Sequence, residues 1–253
     1  MTTPLQPDAW RVIVTGASSG IGREAAIRLA ARGAKVALWA RRADELNALA
    51  DEIGDGAVAV PCDVADPDAV ARATDETEDR IGPVNGLVAA AGIADPLPLA
   101  ELDEPAWRRT IDVNLSGAFY PAREIALRMR DREDPGSLVL VGSELSSVGM
   151  PGYAAYCASK SGVIGIVKAL AAELAPRVRV NALCPGPVDT PMLEGELNLA
   201  DDPVAAREQE NKRPPLGRIG QPGEIADAAV WLLCDATFAT GALVPVDGGT
   251  TMV

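Results

Sequence analysis

The feature that most constrains this chain is a glycine-rich turn between a predicted strand and a predicted helix. An apolar run at residues 11–14 leads into the sequence TGASSGIG at residues 15–22, and a helical pattern covers residues 21–32. Glycines let the backbone approach a pyrophosphate, whose charge is attracted by the free N–H groups at a helix start. The pattern also fits an ordinary strand-to-helix turn, but the flanking elements favour a phosphate-binding turn.

Strand and helix patterns alternate along nearly the whole sequence. The remaining predicted strands lie at 35–39, 58–61, 137–141, 178–183 and 243–246, with another starting at Leu87. Predicted helices cover 43–53, 67–81, 102–132, a stretch from Tyr156 to about Leu174, and 217–234, with Pro121 expected to kink or divide the third of these. This alternation predicts an α/β fold, a single-domain doubly wound parallel sheet over residues 1–253 with helices on both faces. The polar residues 191–215 are expected to form a short helical lid over the substrate.

Charge and composition exclude several kinds of partner and site. The net charge is -13, which repels nucleic acid and anionic membranes. No leader pattern occupies residues 1–6 and no apolar run is long enough for a membrane span, so we expect a cytoplasmic protein. The four cysteines have no metal-binding or paired spacing, and we predict no metal site. Because the chain has no histidine, proton transfer must use tyrosine, lysine, cysteine or a carboxylate.

Tyr156 and Lys160 are the candidates for that proton transfer. In a helix, residues four apart share a face, so the phenol and the ammonium group would lie one turn apart. A nearby cation favours the phenolate, and we therefore expect a lowered pKa for Tyr156. Taken alone, the same spacing also fits an ordinary amphipathic helix face.

The end of the second predicted strand indicates which dinucleotide would bind. About 20 residues after the glycines, a dinucleotide-binding fold places the residue that reads the ribose. That place holds Arg41 and Arg42 after a small Ala40, where an acidic residue would repel a 2′-phosphate. Guanidinium groups bind phosphate in a bidentate manner, which favours NADP(H) over NAD(H). Two solvated arginines at a helix start are the alternative interpretation.

Together, the motifs resemble the short-chain dehydrogenase/reductase family over about residues 8–250. TGASSGIG is similar to its cofactor motif, and Ser143 with Tyr156-x-x-x-Lys160 matches its order and spacing. The resemblance implies the strand order 3-2-1-4-5-6-7 and an oxidoreductase that interconverts a carbonyl and an alcohol. It implies that Tyr156 exchanges the hydroxyl proton, Ser143 holds the substrate oxygen and Lys160 also binds the ribose. Asn114 would anchor a water that relays protons.

The resemblance also implies a set of cofactor contacts at strand ends and at the catalytic helix. They are Gly16, Ser18, Ser19, Gly20, Ile21, Gly22, Arg41, Arg42, Asp63, Val64, Ala90, Ala91, Gly92, Tyr156, Lys160, Pro185, Gly186, Val188 and Thr190. For Asp63, a surface helix cap is an equally good interpretation. Relatives usually carry Asn-Asn-Ala-Gly where this chain has Ala89 and Ala90, which implies a less rigid segment here.

The predicted substrate pocket is mostly apolar and suits a neutral hydrophobic ketone or alcohol. Its candidates are Ser143, Glu144, Leu145, Met150, Tyr153, Pro187, Met192 and Leu193. An acyl carrier protein would need a local basic patch, for which Arg108, Arg109, Arg128 and Arg130 are the candidates.

Two glycines in the catalytic helix, Gly162 and Gly165, suggest close packing against the sheet or across a subunit interface. Relatives pair this helix across a two-fold axis, which implies a homotetramer or homodimer. Other possible functions are an NAD-linked dehydrogenase, an epimerase-like enzyme, and a sensor or scaffold that binds NADP(H) without turnover.

Overall fold

The computed structural model describes residues 6–132 and 135–252. The predictions for residues 1–6 and for a single domain over residues 1–253 therefore lie partly outside the described residues. Within them, no helix combines the length and apolarity that a membrane crossing requires.

Seven parallel strands form one sheet in the order β3-β2-β1-β4-β5-β6-β7, which confirms the predicted fold class and strand order. The strands are β1 (Arg11–Thr15), β2 (Lys35–Ala40), β3 (Ala57–Pro61), β4 (Gly86–Ala89), β5 (Gly136–Val141), β6 (Val178–Pro185) and β7 (Leu243–Val246). In register, Val12 of β1 lies beside Val36 of β2 and Gly86 of β4. The order reverses between β1 and β4, where open α/β sheets bind their ligands.

Nine α-helices surround the sheet in the described part of the chain. They are α1 (Gly20–Ala31), α2 (Ala43–Ile53), α3 (Pro67–Ile81), α4 (Glu104–Ile111), α5 (Gly117–Arg132), α6 (Ala154–Leu174), α7 (Pro191–Leu197), α8 (Pro203–Lys212) and α9 (Pro222–Val230). Two of them, α7 and α8, occupy the segment expected to form a lid.

The division of the predicted helix at residues 102–132 does not fall at Pro121, so that prediction was wrong. Pro121 is buried inside α5, and a π-helical turn at Asp112–Ser116 separates α4 from α5 instead. The wider turn precedes the proline and holds the buried Asn114. The irregularity therefore lies where a functional side chain is placed, as is common for π-helical turns.

Alternate strand residues enter two separate cores because successive side chains of a strand point to opposite faces. Ile13 of β1 and Leu87 of β4 belong to one core, whereas Val12, Val14 and Val88 belong to the other. Helices α3, α5 and α6 cover the first face, and α1 and α9 cover the second. Helices thus cover both faces of the central strands, which explains why those strands are mostly apolar rather than alternating.

Candidate active site

The glycine-rich turn follows β1 and depends on close backbone approach. Gly16 and Gly20 have positive φ angles of 67° and 55°. A Cβ on Gly16 would lie 2.9 Å from the carbonyl oxygen of Ala90, and one on Gly22 would lie 2.5 Å from that of Gly16. Ser19 begins α1 without using its side chain as a cap, so the first N–H groups of this helix remain available to an anion.

A cavity of about 440 Å³ lies over this turn, at the carboxyl ends of β1 to β4. Its predicted cofactor contacts are Gly16, Ser18, Ser19, Gly20, Ile21, Gly22, Arg41, Arg42, Asp63, Val64, Ala90, Ala91, Gly92 and Thr190, and Met192, predicted for the substrate pocket, also lines it. The glycine cradle, the open helix start and the two arginines fit the diphosphate and ribose of a dinucleotide. Ala40, Cys62, Ile93, Val113 and Pro191 also line it and were missed by the sequence analysis.

Arg42 links the end of β2 to the glycine turn. Its Nη2 donates to Ser18 Oγ over 2.9 Å, and its Nη1 lies 3.3 Å from Glu45 Oε1. Arg41 is exposed at the same rim and makes no hydrogen bond or ion pair with the described residues. Two guanidinium groups and a serine hydroxyl therefore converge at one end of the cavity.

Asp63 and Val64 line the same cavity at the end of β3. The Asp63 carboxylate accepts a hydrogen bond from Ala65 N over 3.0 Å, so it stabilises the turn that leads to α3. The cap of α3 itself is Asp66. Asp63 is thus not the helix cap that the alternative interpretation placed there.

The segment after β4 is held in place although it lacks the asparagines of relatives. Thr15 Oγ1 accepts a hydrogen bond from Ala91 N over 3.1 Å. Two residues further on, Asn114 accepts from Ile93 N over 2.8 Å and donates to Ile93 O over 2.9 Å. The expected loss of rigidity at Ala89 and Ala90 is therefore offset by bonds from neighbouring elements.

A second cavity, of about 130 Å³, contains Ser143, Tyr156 and Lys160. Ser143 follows β5, and its Oγ accepts a hydrogen bond from Leu145 N over 3.1 Å. Lys160 is buried, and its Nζ donates to Val141 O over 2.9 Å and lies 5.7 Å from the centre of the Tyr156 ring. Asn114 lines neither cavity in the described chain; its amide donates to Ser159 Oγ of α6 over 3.2 Å.

Burial dominates the ionisation of these groups. It raises the pKa of Tyr156 above the usual value, although the hydrogen bond from Ser143 acts in the opposite direction. It also lowers the pKa of Lys160 to about 8. The predicted lowering of the Tyr156 pKa is therefore wrong for the chain by itself, since desolvation outweighs the nearby cation.

The turn after β6 forms the boundary between the two cavities. A Cβ on Gly186 would lie 2.8 Å from the backbone of Asp247, which follows β7. Thr190 caps α7 and donates to Val188 O over 3.2 Å. The smaller cavity is lined by Pro185, Gly186, Pro187, Val188 and Thr190. Ile21, Ala90, Gly92, Thr190 and Met192 line both cavities, so the two adjoin.

The predicted substrate residues all line the smaller cavity, whose wall is mostly apolar, as expected, with one charged side. Glu144, Leu145, Met150, Tyr153, Pro187, Met192 and Leu193 are joined by Val141, Gly142, Glu196, Glu210 and Arg213, which sequence analysis missed. The last three come from α7, α8 and the residue after α8. Tyr153 donates to Glu196 Oε2 over 2.6 Å, and Arg213 Nη1 lies 2.5 Å from Glu144 Oε1. The 191–215 segment thus adds charged side chains, which the sequence analysis did not predict, to one side of a mostly apolar pocket.

Comparison with known proteins finds relatives that match this chain over nearly its whole length. A family model described as Enoyl-(Acyl carrier protein) reductase matches residues 16–251. The chain is 40% identical over 246 residues to cis-4-hydroxycyclohexanecarboxylate dehydrogenase of Sinomonas cyclohexanicum, covering 95% of this chain and 96% of that protein. It is 41% identical over 244 residues to galactitol 2-dehydrogenase (L-tagatose-forming) of Cereibacter sphaeroides, covering 94% of each.

A solved structure agrees with these matches. A variant of actinorhodin polyketide ketoreductase with NADPH has a TM-score of 0.92 to this chain at 32% identity, covering 100% of both. The fold, the glycine cradle and the named relatives define the class of nicotinamide-dependent dehydrogenases and reductases. Within it, the chain belongs to the short-chain dehydrogenase/reductase family.

Proposed function

We propose that this protein transfers hydride between NADP(H) and a carbonyl or secondary alcohol, with Tyr156 as the acid and base. The observation that carries the proposal is the adjoining of two cavities, one built on the glycine cradle and one containing Ser143, Tyr156 and Lys160. Bound in the larger cavity, the nicotinamide would supply or accept the hydride.

The residues of the chain supply proton transfer and positioning. The Ser143 hydroxyl, which is hydrogen-bonded to Tyr156 in the free protein, would donate to the substrate oxygen once the substrate binds. Tyr156, whose raised pKa keeps the phenol neutral near pH 7, gives its proton to that oxygen during reduction. Lys160 is fixed by Val141 O and lies beside Gly92, within reach of a bound ribose. Asn114 holds the backbone of Ile93, and its part in a proton relay stays a prediction.

The preference for NADP(H) rests on the end of β2. The guanidinium of Arg42 donates to the hydroxyl of Ser18 there and Arg41 lines the same end of the cavity, a set of donors suited to a 2′-phosphate. If these donors bind no 2′-phosphate, we expect the protein to be an NAD-linked dehydrogenase.

The surface charges of this protein favour a free small-molecule substrate over one attached to an acidic acyl carrier protein. Each of the four candidate arginines for a basic patch is paired with a carboxylate: Arg108 with Glu104, Arg109 with Asp95, Arg128 with Asp75, Glu78 and Glu124, and Arg130 with Asp131. Because these pairs neutralise the arginines locally, they offer little attraction to an acyl carrier protein. The names of the two relatives span a hydroxy acid and a neutral polyol, so they leave both kinds of alcohol as candidates.

The test is a Tyr156→Phe variant assayed with a panel of ketones and secondary alcohols. Removing the phenol proton should lower kcat by about 10² to 10⁴-fold, the usual worth of general acid catalysis, while NADPH binding is retained. Nicotinamide absorbance measures turnover, and calorimetry measures NADPH binding. Near wild-type turnover in the variant would contradict the mechanism, and an inactive parent protein that still binds NADPH would favour a sensor or scaffold.

A further inference from the structure

The smaller cavity has a polar wall made by five residues, Glu144, Tyr153, Glu196, Glu210 and Arg213, which we call the acceptor wall. It lies close to the proposed reacting groups. Glu144 directly follows Ser143, and the ring of Tyr153 meets that of Tyr156 edge-on at 6.1 Å. A substrate oxygen held by Ser143 and Tyr156 therefore brings the rest of the substrate against this wall.

Several donors of the acceptor wall are already used. The Tyr153 hydroxyl donates its proton to Glu196 Oε2. Arg213 Nη1 pairs with Glu144, and Arg213 Nε donates to Glu210 Oε2 over 3.0 Å. The second carboxylate oxygens of Glu196 and Glu210 receive no hydrogen bond from the residues that the structure describes. The wall thus presents several carboxylate acceptors, and among the described residues its one donor group without an acceptor is Nη2 of Arg213.

Glu144 adds an unsatisfied acceptor within the wall. It is 3% exposed, and its Oε2 has no hydrogen-bond partner in the described chain. The nearby Thr250 hydroxyl instead donates to Asp247 O over 2.7 Å. A buried carboxylate oxygen without a donor is unfavourable, so a donor brought by a ligand would be stabilising.

The charge of the acceptor wall also favours a ligand hydroxyl over a ligand carboxylate. Three carboxylates, Glu144, Glu196 and Glu210, share the cavity with two cations, Arg213 and the buried Lys160, which leaves an excess of one negative charge. Burial raises the pKa of Glu196 to about 7, with Glu210 and Asp95 adding to the effect and Tyr153 and Arg213 opposing it. A substrate carboxylate would add a further like charge, whereas a hydroxyl would supply the missing donor.

We infer that the acceptor wall selects neutral substrates carrying a second hydroxyl group, such as diols and polyols, over substrates that carry a carboxylate. This inference rests on the proposed function of the same cavity, because the second hydroxyl is positioned by binding of the reacting oxygen at Ser143 and Tyr156.

A matched pair of probes tests the selection: cis-4-hydroxycyclohexanecarboxylate and cis-4-(hydroxymethyl)cyclohexanol. They share a ring and a reacting alcohol and differ in the carboxylate or hydroxymethyl group. Calorimetry with the NADP⁺-saturated protein at pH 8 measures both dissociation constants, and oxidation is followed in parallel. We expect the diol to bind at least about tenfold more tightly, since one like-charge contact at a partly buried site is worth that much.

Two variants on α7 separate the wall from the rest of the helix. Glu196→Gln keeps an acceptor for Tyr153 but removes the charge, so the diol preference should fall by at least about threefold. Glu194→Gln removes a charge that lies outside the cavity and pairs with Arg207, so its preference should equal that of the parent. Equal or tighter binding of the carboxylate to the parent overturns the inference, as does an unchanged preference in Glu196→Gln. Selective diol binding without any oxidation would overturn the proposed function alone.

Discussion

Arg42 is the single residue through which cofactor choice is most directly tested. Its guanidinium already donates to Ser18 in the turn that would hold the phosphates. Charge-assisted hydrogen bonds are worth about 1.5–3 kcal/mol, so Arg42→Ala should raise KM for NADPH about 10- to 100-fold and leave KM for NADH nearly unchanged. Steady-state kinetics with both cofactors measure this. Arg72→Ala, at an exposed arginine outside both cavities, is the control. Equal losses for NADPH and NADH would contradict the NADP(H) preference.

Lys160 should limit the reaction at alkaline pH. Burial lowers its pKa to about 8, so its charge is present below that pH and lost above it. The phenol of Tyr156, with a raised pKa, stays neutral over the same range. The rate of carbonyl reduction should therefore be level up to about pH 8 and fall above it. In Lys160→Arg the charge persists, and the fall should move to higher pH even if the rate is lower. An identical pH profile in that variant would argue against Lys160 as the titrating group.

Site residues that directly follow a strand could be predicted from the sequence. Side chains that reach the site only because a distant segment packs over it could not, and neither could the effects of burial. Ser143 and the glycine turn were predictable because strand patterns place them at one edge of the sheet. Glu196 and Arg213 were not, since nothing in a polar stretch tells which of its charges will point into a cavity. The direction of the Tyr156 pKa shift was missed because spacing to Lys160 gives no measure of desolvation.

Among the secondary-structure elements, the link between β1 and the segment after β4 stands in for the missing asparagines. Thr15→Val keeps the shape of a fully buried side chain but leaves Ala91 N without its partner. An unsatisfied buried donor costs about 1–3 kcal/mol, so the free energy of unfolding should fall by that amount, and KM for NADPH should rise because this segment lines both cavities. Urea denaturation and kinetics measure the two effects.

Thr74→Val is the matched control for that substitution. Thr74 is equally buried, but its hydroxyl donates to Val70 O within α3, and its loss leaves no N–H group unpaired. It should change stability much less and leave KM for NADPH unaltered. Equal effects of the two variants would mean that the Thr15 hydroxyl has no special role in holding the segment.

Helix and strand positions followed the sequence patterns closely, because period and turn residues are local signals. The break between α4 and α5 was predicted at the wrong place. Pro121 is a local signal that can be seen in the sequence, whereas the π-helical turn at Asp112–Ser116 depends on contacts between Asn114 and a loop distant in sequence. The predicted lid is another case. Its helical character followed from its length and spaced leucines, but its division into α7 and α8 depends on caps at Thr190 and Asp202.

For the whole molecule, the open prediction is assembly through α6. The two glycines of this helix differ in the described chain: Gly162 packs closely on Leu115, whereas nothing lies within 4 Å of a Cβ on Gly165. We therefore expect Gly165→Arg to reduce the molar mass of a homodimer or homotetramer, measured by light scattering after size-exclusion chromatography. Gly195→Arg, at an equally open position on α7, should leave the mass unchanged. The same mass in both variants would contradict an interface on α6.

The length of the segment around Asn114 is constrained more tightly than its chemistry. A π-helical turn takes in one residue more than an α-helical turn, and each residue of a helix turns the chain by about 100°. Deleting a single residue from Asp112–Ser116 would therefore close the wide turn into an ordinary α-helical turn and turn the Asn114 side chain away from Ile93. A substitution there changes one side chain, whereas a one-residue deletion changes the direction of several side chains of the turn at once. Insertions and deletions at this point should thus be far rarer among working variants of this chain than replacements.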